Sequence, residues 1–300
     1  MENISVWISA MRLRTLPLSV SGIIIASSLA EYNGRFDWQV FILAILTTIS
    51  LQILSNLAND YGDGVKGTDD DTRVGPERAL QSGKITPYEM FEAIKINILI
   101  CIVLSFLLIF SAFGTQHFFL TVLFFGLGIC AVIAAIKYTV GGTAYGYRGL
   151  GDIFVFAFFG LVSVIGCYVL FAKTIHHVVV LPAITVGLLS VAVLNLNNMR
   201  DITSDLASGK ITFAVKIGAA KAKQYHYFLI LSAIVVSALF GILYYTSPYN
   251  LIYILAYIPL INHLKIVSKI DDAKLFDPEL KKVALSTFAL ATLLAIGHLL

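Results

Sequence analysis

Long apolar segments separated by shorter polar stretches constrain the fold of this 300-residue chain more than any other feature of its sequence. A helix needs about 20 predominantly apolar residues to cross the hydrocarbon core of a bilayer. By this rule we expect nine transmembrane helices, over residues 15–33, 38–58, 91–113, 117–136, 151–172, 177–198, 225–246, 249–267 and 283–300. The sequence therefore predicts an all-α, polytopic membrane protein.

The composition supports this class. Hydrophobic residues make up 58% of the chain and charged residues 13%, against roughly 25% charged in globular domains. No polar stretch is long enough to fold separately, so we predict a single domain over residues 1–300. The first apolar segment has no small-residue cleavage site followed by a polar mature chain, so we expect it to be retained as a helix. Cys101, Cys130 and Cys167 all lie in apolar segments, which argues against a disulfide framework.

Basic residues are divided unevenly between the two sides of the predicted helices. Eighteen of the 21 Lys and Arg residues fall in the N-terminus and alternate loops, whereas the opposite side holds only Arg35 and Lys173, and Lys95 lies at a helix start. Cytoplasmic loops of membrane proteins are enriched in Lys and Arg. The sequence therefore predicts a cytoplasmic N-terminus and an external C-terminus, although the longer loops on that side account for part of the bias.

A cluster of amides and carboxylates ends the second predicted helix on its cytoplasmic side. Asn56, Asn59, Asp60 and Asp63 are three and four residues apart, so they share one face if the helix continues. An Asp within a membrane costs about 2.5–3.5 kcal/mol on insertion scales, and such residues are functional by default. Converging oxygen atoms suit Mg²⁺, which bridges a few carboxylates to substrate phosphates. The alternative is an ordinary polar helix end.

The polar segment after this cluster is expected to form a loop. Three glycines between residues 62 and 67 weaken helix propensity, so the helix should open where the cluster ends. We expect the acidic run at residues 69–71 to be a solvated turn. Arg73 and Arg78 are better candidates for binding, because Arg contacts diphosphate oxygens in a bidentate manner and keeps its charge.

A second polar cluster ends the sixth predicted helix, on the same side. It comprises Asn195, Asn197, Asn198, Arg200, Asp201 and Asp205. Residues 197, 201 and 205 are spaced by four and share a helical face. Two such clusters ending two separate membrane helices are consistent with the two walls of one metal–diphosphate site.

These clusters resemble the motifs of the UbiA-type membrane prenyltransferases, Asn-Asp-x-x-Asp followed at a distance by Asp-x-x-x-Asp. The strings at residues 56–67, 147–152 and 197–205 are similar to those of one branch, the 1,4-dihydroxy-2-naphthoate polyprenyltransferases of menaquinone synthesis. The string at residues 12–17 resembles the family's opening Arg-Pro-x-Thr-Leu-Pro, with Leu13 replacing the first proline. Gly67 stands where the general family often has a third Asp, and Asp69 is the residue that could replace it.

The resemblance implies a nine-helix UbiA-type bundle, a Mg²⁺ cofactor and roles for particular residues. The implied catalytic residues are Asp60, Asp63, Asp201 and Asp205, which would bind the metal together with Asn59. The implied substrate-binding residues are Arg12, Asn56, Asn59, Lys66, Arg73, Arg148, Asn198 and Lys210. Tyr138, Tyr145 and Tyr147 could stabilise an allylic cation, although an interfacial aromatic belt is the alternative. None of the six histidines is assigned a role.

The implied reaction transfers a polyprenyl group from polyprenyl diphosphate to 1,4-dihydroxy-2-naphthoate, with loss of CO₂ and diphosphate, giving demethylmenaquinone. The implied partners are these two substrates and the lipid bilayer, with no nucleic acid, and the implied location is the plasma (inner) membrane of a bacterium with a cytoplasmic active site. One alternative is another aromatic acceptor, such as 4-hydroxybenzoate or homogentisate. A more distant alternative is a cation transporter, which would need polar groups continuing across the bilayer; here the acids stop at the cytoplasmic helix ends.

Overall fold

The structure is a computed structural model that describes residues 2–69 and 74–300. Within these two ranges, nine helical segments are long and apolar enough to cross a membrane: Ile4–Tyr32, Trp38–Val65, Pro87–Phe113, Phe118–Lys137, Gly151–Ala172, His177–Arg200, Ala219–Leu243, Pro248–Val267 and Ala273–Leu299. They confirm the predicted all-α class and the number of spans. The chain is an integral membrane protein.

The α-helices of the described residues, numbered in chain order, are α1 (Glu2–Met11), α2 (Leu16–Tyr32), α3 (Trp38–Val65), α4 (Pro87–Phe113), α5 (Phe118–Lys137), α6 (Gly151–Val155), α7 (Cys167–Ala172), α8 (Val180–Arg200), α9 (Ile202–Ala207), α10 (Phe213–Ile217), α11 (Ala219–Leu243), α12 (Tyr257–Val267) and α13 (Phe276–Leu299). A 3₁₀ turn, Leu13–Thr15, joins α1 to α2. A π-helical segment, Phe156–Gly166, joins α6 to α7.

Helix α8 lies at the centre of the bundle. It packs against α11, α13 and the π segment, and most of its side chains are buried. Helix α5, by contrast, is largely exposed, as expected of a helix at the lipid-facing edge. The central position of α8 carries the second polar cluster into the interior of the protein.

Helix α3 continues through two of the glycines that were expected to end it. Gly62 and Gly64 are both helical, and the helix ends at Val65. A Cβ atom at Gly62 would lie 2.5 Å from the Thr139 hydroxyl oxygen, and one at Gly64 would lie 2.2 Å from Leu80. The expectation of a loop at this point is therefore wrong, because the glycines allow neighbouring segments to approach an intact helix. Asp60 and Asp63 are consequently held on a regular helical backbone.

The π segment packs closely against α8. A Cβ atom at Gly160 would lie 2.7 Å from the carbonyl oxygen of Ala183 and 2.7 Å from the Cα of Gly187. π-Helical turns are rare and frequently occur at functional sites. The wider turn brings Phe158, Phe159 and other side chains of this segment to the wall of a cavity.

We predict that Gly160→Ala destabilises the protein, because the added methyl group has no space between the π segment and α8. Overpacking of this kind typically costs about 1–3 kcal/mol. The measurement is the midpoint of thermal unfolding in detergent. Gly126→Ala is the matched control, since no heavy atom apart from the neighbouring backbone of its own helix lies within 4 Å of the position that its Cβ would take. Equal midpoints for the two variants would contradict the packing described for this interface.

Candidate active site

A cavity of about 690 Å³ joins the two polar clusters. One side, here called the first wall, carries Asn59, Asp60 and Asp63 on α3. The facing side, the second wall, carries Asn197, Asp201 and Asp205 at the end of α8 and on α9. All four aspartates are buried. The structure therefore brings together the two clusters that the sequence spacing indicated.

Lys210 bridges the two walls. Its Nζ lies 3.2 Å from Asp63 Oδ2 and 3.6 Å from Asp205 Oδ1. Burial lowers the pKa of this ammonium group, but the two carboxylates outweigh burial, so the pKa is raised above its ordinary value. Lys210 is therefore charged, and its ammonium group contacts carboxylates from both walls.

The carboxylates of the two walls also influence one another. Burial raises the pKa of Asp205 to about 7; the charge of Lys210 opposes this rise, whereas Asp201 and Asp63 add to it. Two acids that repel each other in a buried site are stabilised by any additional cation placed between them. The negative charge of these carboxylates therefore favours binding of a further cation between the two walls.

Tyr147 holds the other oxygen of Asp63. Its hydroxyl donates a hydrogen bond to Asp63 Oδ1 at 2.8 Å, and because its single proton is used there, Thr68 Oγ1 is the donor in the 2.6 Å contact between their hydroxyls. Burial and the charge of Asp63 both raise the pKa of Tyr147, so its hydroxyl stays protonated. The ammonium group of Lys66 lies 3.9 Å from the centroid of the Tyr147 ring. Tyr147 is therefore bound to the first wall by its hydroxyl and to Lys66 by its ring.

Asp201 of the second wall is paired with its neighbour in the sequence. Arg200 donates from Nε to Asp201 Oδ1 at 2.8 Å and from NH2 to Oδ2 at 2.7 Å. The same guanidinium also contacts Asp277 on α13, at 2.6 Å. Sequence reasoning included Arg200 in the cluster without giving it a role, and it missed Asp277, which belongs to no motif.

Asn56 supports the turn that carries Arg12. Its Nδ2 donates to the Met11 carbonyl at 2.9 Å and lies 3.4 Å from Thr15 Oγ1. Gln52 donates to the same hydroxyl at 3.2 Å. Arg12 itself adopts a left-handed backbone conformation, with φ of 48°, which is uncommon for a residue other than glycine. Asn56 and Arg12 both line the cavity, and the amide of Asn56 ties α3 to the N-terminal turn.

Some of the predicted substrate-binding residues lie apart from the cavity. Among the described residues that line it, Asn197 is present, whereas Asn198, Lys66 and Arg148 are not. Asn198 is buried. Lys66 is exposed and donates to the Thr139 carbonyl at 2.6 Å. Arg148 is exposed, and its carbonyl accepts a hydrogen bond from Lys216.

The loop after α3 contributes to the cavity as well. Asp69 is buried, with 9% of its surface exposed, so the solvated turn expected at this residue is wrong. Arg78 lies with its Nε 3.6 Å from Asp69 Oδ2, and both residues line the cavity. The rest of the acidic run, together with Arg73, lies outside the described residues.

Beyond the polar walls, the cavity is lined by apolar side chains of α5 and the π segment. They include Phe124, Leu127, Phe158, Phe159 and Val162. In the described part of the chain, no group of three or more His, Cys, Asp or Glu side chains is arranged as a ready-made metal site. The cavity therefore combines an acid-lined polar end with a long apolar extension.

A membrane-embedded helical bundle around a cavity with two acidic walls and an apolar extension is the arrangement expected of a membrane prenyltransferase. Comparison with known proteins agrees with this class. The model of the UbiA prenyltransferase family matches residues 20–278. The chain belongs to the UbiA prenyltransferase family.

A protein of Escherichia coli named 1,4-dihydroxy-2-naphthoate octaprenyltransferase is 41% identical over 291 residues, covering 97% of this chain and 94% of that protein. Two solved structures share the fold. The apo structure of a UbiA homologue from Aeropyrum pernix has a TM-score of 0.70 at 14% identity, covering 95% and 97% of the two chains. A UbiA homologue from Archaeoglobus fulgidus, bound to GPP and Mg²⁺, has a TM-score of 0.61 at 13% identity, covering 95% and 100%.

We predict that Tyr147→Phe lowers the turnover number for prenyl transfer by about tenfold or more, because Asp63 loses its neutral donor while the ring contact with Lys66 is kept. A hydrogen bond to a charged group contributes about 1.5–3 kcal/mol. The measurement is the initial rate with saturating substrates. Tyr88→Phe, at a side chain that is 73% exposed, is the matched control. A Tyr147→Phe enzyme as fast as this control would show that Tyr147 is dispensable.

Proposed function

We propose that this protein is a Mg²⁺-dependent 1,4-dihydroxy-2-naphthoate polyprenyltransferase. It would transfer a polyprenyl group from polyprenyl diphosphate to the naphthoate ring and release CO₂ and diphosphate, giving demethylmenaquinone. The observation that carries the proposal is one cavity with a polar part and an apolar part. In the polar part, carboxylates of both walls contact the ammonium group of Lys210. The apolar part is lined by side chains of the membrane helices. The 41% identity to the E. coli protein of that activity supports the choice of acceptor.

The polar end of the cavity suits a divalent metal and a diphosphate. Carboxylate and amide oxygens are the ligands that Mg²⁺ prefers, and the ion usually takes only one or two carboxylates and completes its shell with water and substrate phosphates. Carboxylates of both walls already share the ammonium group of Lys210. Asn59, Asp60 and Asp63 of the first wall and Asp201 and Asp205 of the second would hold the metal, which would supply Lewis-acid neutralisation of the leaving diphosphate.

The basic side chains of the cavity would bind the diphosphate oxygens directly. Arg12, Arg78 and Lys210 line the cavity, and fixed positive groups stabilise the charge that develops on a leaving group. Lys210 would exchange its carboxylate partners for phosphate oxygens. Lys66, Arg148 and Asn198 do not line the cavity. Their substrate-binding roles, like that of Arg73, remain predictions.

The apolar extension would hold the prenyl chain. Phe154, Phe158 and Tyr138 line the cavity. Their ring faces would stabilise the developing allylic cation by cation–π attraction. The apolar surroundings would also keep water from reaching the cation.

The acceptor ring would provide the electrons for the new bond. The ring carbon that bears the carboxylate attacks the allylic carbon as the carbon–oxygen bond to diphosphate breaks and its electron pair leaves with diphosphate. The bond to the carboxylate then breaks, CO₂ leaves, and that electron pair restores the aromatic ring. A dihydroxynaphthalene ring is electron-rich, so no strong base is required for this step.

We further propose that the protein lies in the plasma membrane with this site facing the cytoplasm. The two walls lie at helix ends adjoining the loops that carry the excess of Lys and Arg. Such loops stay on the cytoplasmic side.

The metal proposal predicts that exhaustive treatment with EDTA abolishes turnover and that Mg²⁺ restores it. Asp60→Ala, Asp63→Ala, Asp201→Ala and Asp205→Ala should each lower the turnover number by about 100-fold or more, since each removes stabilisation of the leaving group. Asp271→Ala, in an exposed loop, is the control and should be nearly neutral. Turnover that survives chelation would rule out the metal.

The acceptor proposal predicts that CO₂ and diphosphate are released one for one. The measurement uses carboxyl-labelled 1,4-dihydroxy-2-naphthoate with a polyprenyl diphosphate in membranes. With 4-hydroxybenzoate the carboxylate would be retained, because that ring is alkylated beside its hydroxyl group. A prenylated product that keeps the label, or preferential use of 4-hydroxybenzoate or homogentisate, would overturn this acceptor and leave prenyl transfer intact.

A further inference from the structure

The last membrane helix reaches the second wall through one side chain. Asp277 lies in the first turn of α13 and accepts a hydrogen bond from NH1 of Arg200 at 2.6 Å. The Arg200 side chain is only 2% exposed, whereas that of Asp277 is 30% exposed. This partly buried contact joins the second wall to a helix that carries none of the polar cluster residues.

Arg200 divides its charge among several acceptors. Besides Asp277, it binds both oxygens of Asp201 and donates from NH2 to Asn197 Oδ1 at 2.8 Å. Asp277 in turn lies with Oδ2 3.5 Å from NH1 of Arg14. A chain of alternating negative and positive groups therefore runs from the second wall to the N-terminal turn, in the order Asp201, Arg200, Asp277 and Arg14.

This arrangement bears on how Asp201 could bind a metal. Arg200 contacts both oxygens of Asp201, so it competes with any metal for that carboxylate. Because Asp277 attracts the same guanidinium group, Asp201 retains more negative charge, and Arg200 is held in place from the opposite side. Groups that orient metal ligands from outside the coordination sphere typically change metal affinity 10- to 100-fold when they are removed.

We propose that Asp277 is a positioning residue for the metal site: by sharing Arg200 it weakens the pairing of that arginine with Asp201 and leaves Asp201 the negative charge that a metal ligand needs. This inference rests on the proposed function, specifically on a metal bound between the two walls. It assigns a role in the reaction to α13, through a residue that does not line the described part of the cavity.

The test measures metal binding directly. Purified full-length protein in detergent is titrated with Mn²⁺ in the presence of inorganic diphosphate, and free Mn²⁺ is followed by electron paramagnetic resonance. Asp277→Asn, which keeps the shape and removes the charge, should raise the dissociation constant for Mn²⁺ about tenfold. Asp277→Glu should restore binding to within about threefold of the unsubstituted protein. The concentration of Mg²⁺ that gives half-maximal activity should follow the same order.

Asp271→Asn is the matched control, since it removes the same charge from the exposed loop just before α13 and should leave Mn²⁺ binding unchanged. Arg14→Gln gives a second test that folding should tolerate, because Arg14 is 44% exposed. This substitution removes the contact between Arg14 and Asp277, so that Asp277 interacts with Arg200 alone. Mn²⁺ binding should then be as tight as in the unsubstituted protein or tighter.

Two outcomes would overturn the inference and can be told apart from failure of the proposed function. If Asp277→Asn lowers the melting temperature but binds Mn²⁺ like the unsubstituted protein, Asp277 only anchors α13. If Arg14→Gln, titrated with Mn²⁺ alone because Arg14 also lines the cavity, weakens Mn²⁺ binding, the sharing of Arg200 is not what matters. Absence of Mn²⁺ binding in the unsubstituted protein would instead reject the metal site itself, and the positioning role with it.

Discussion

The contact of Lys210 with Asp63 and Asp205 is the interaction on which the site depends. Buried carboxylates are costly unless a cation is close, and the four aspartates of the two walls are all buried. Lys210 compensates one carboxylate from each wall, and Arg200 compensates Asp201. Lys210 thus contacts both walls, which lie at a separation that one ammonium group can span. A metal and a diphosphate would take over part of this compensation and would give Lys210 a new partner.

The surrounding fold keeps these charges in position. Gly62 lets Thr139 approach α3 closely, and the helix bearing Asp60 and Asp63 continues to Val65. The central helix α8 delivers the second wall from the opposite side, and its packing against the π segment shapes the apolar part of the cavity. The polar end and the apolar end of the site are therefore set by the same few helices.

The membrane helices and the two acidic clusters could be predicted from the sequence, because both depend on patterns among residues that are close together in the chain. Apolar length predicted the membrane helices, and spacings of three and four placed Asp60 with Asp63 and Asp201 with Asp205. The remaining features depend on contacts between distant segments. Gly62 weakens a helix by propensity alone, yet here it serves close packing with Thr139.

The same limit applies to side-chain partners. Motif resemblance suggested Lys66 and Arg148 for the diphosphate, but a motif does not specify where a side chain points, and both are exposed outside the described cavity lining. Asp277 has no sequence signal that separates it from other acidic residues at helix starts. Its partner Arg200 lies 77 positions earlier in the chain, so only the fold reveals the pair.

The central claim, that the two walls form one metal–diphosphate site, is tested most directly by locating the metal. Crystals grown with Mn²⁺ and inorganic diphosphate would show the ion by its anomalous scattering. The account predicts an ion bound to the diphosphate and within coordination distance of carboxylates from both walls, with Lys210 moved to the phosphate oxygens. An ion bound by one wall alone, or away from both, would contradict it.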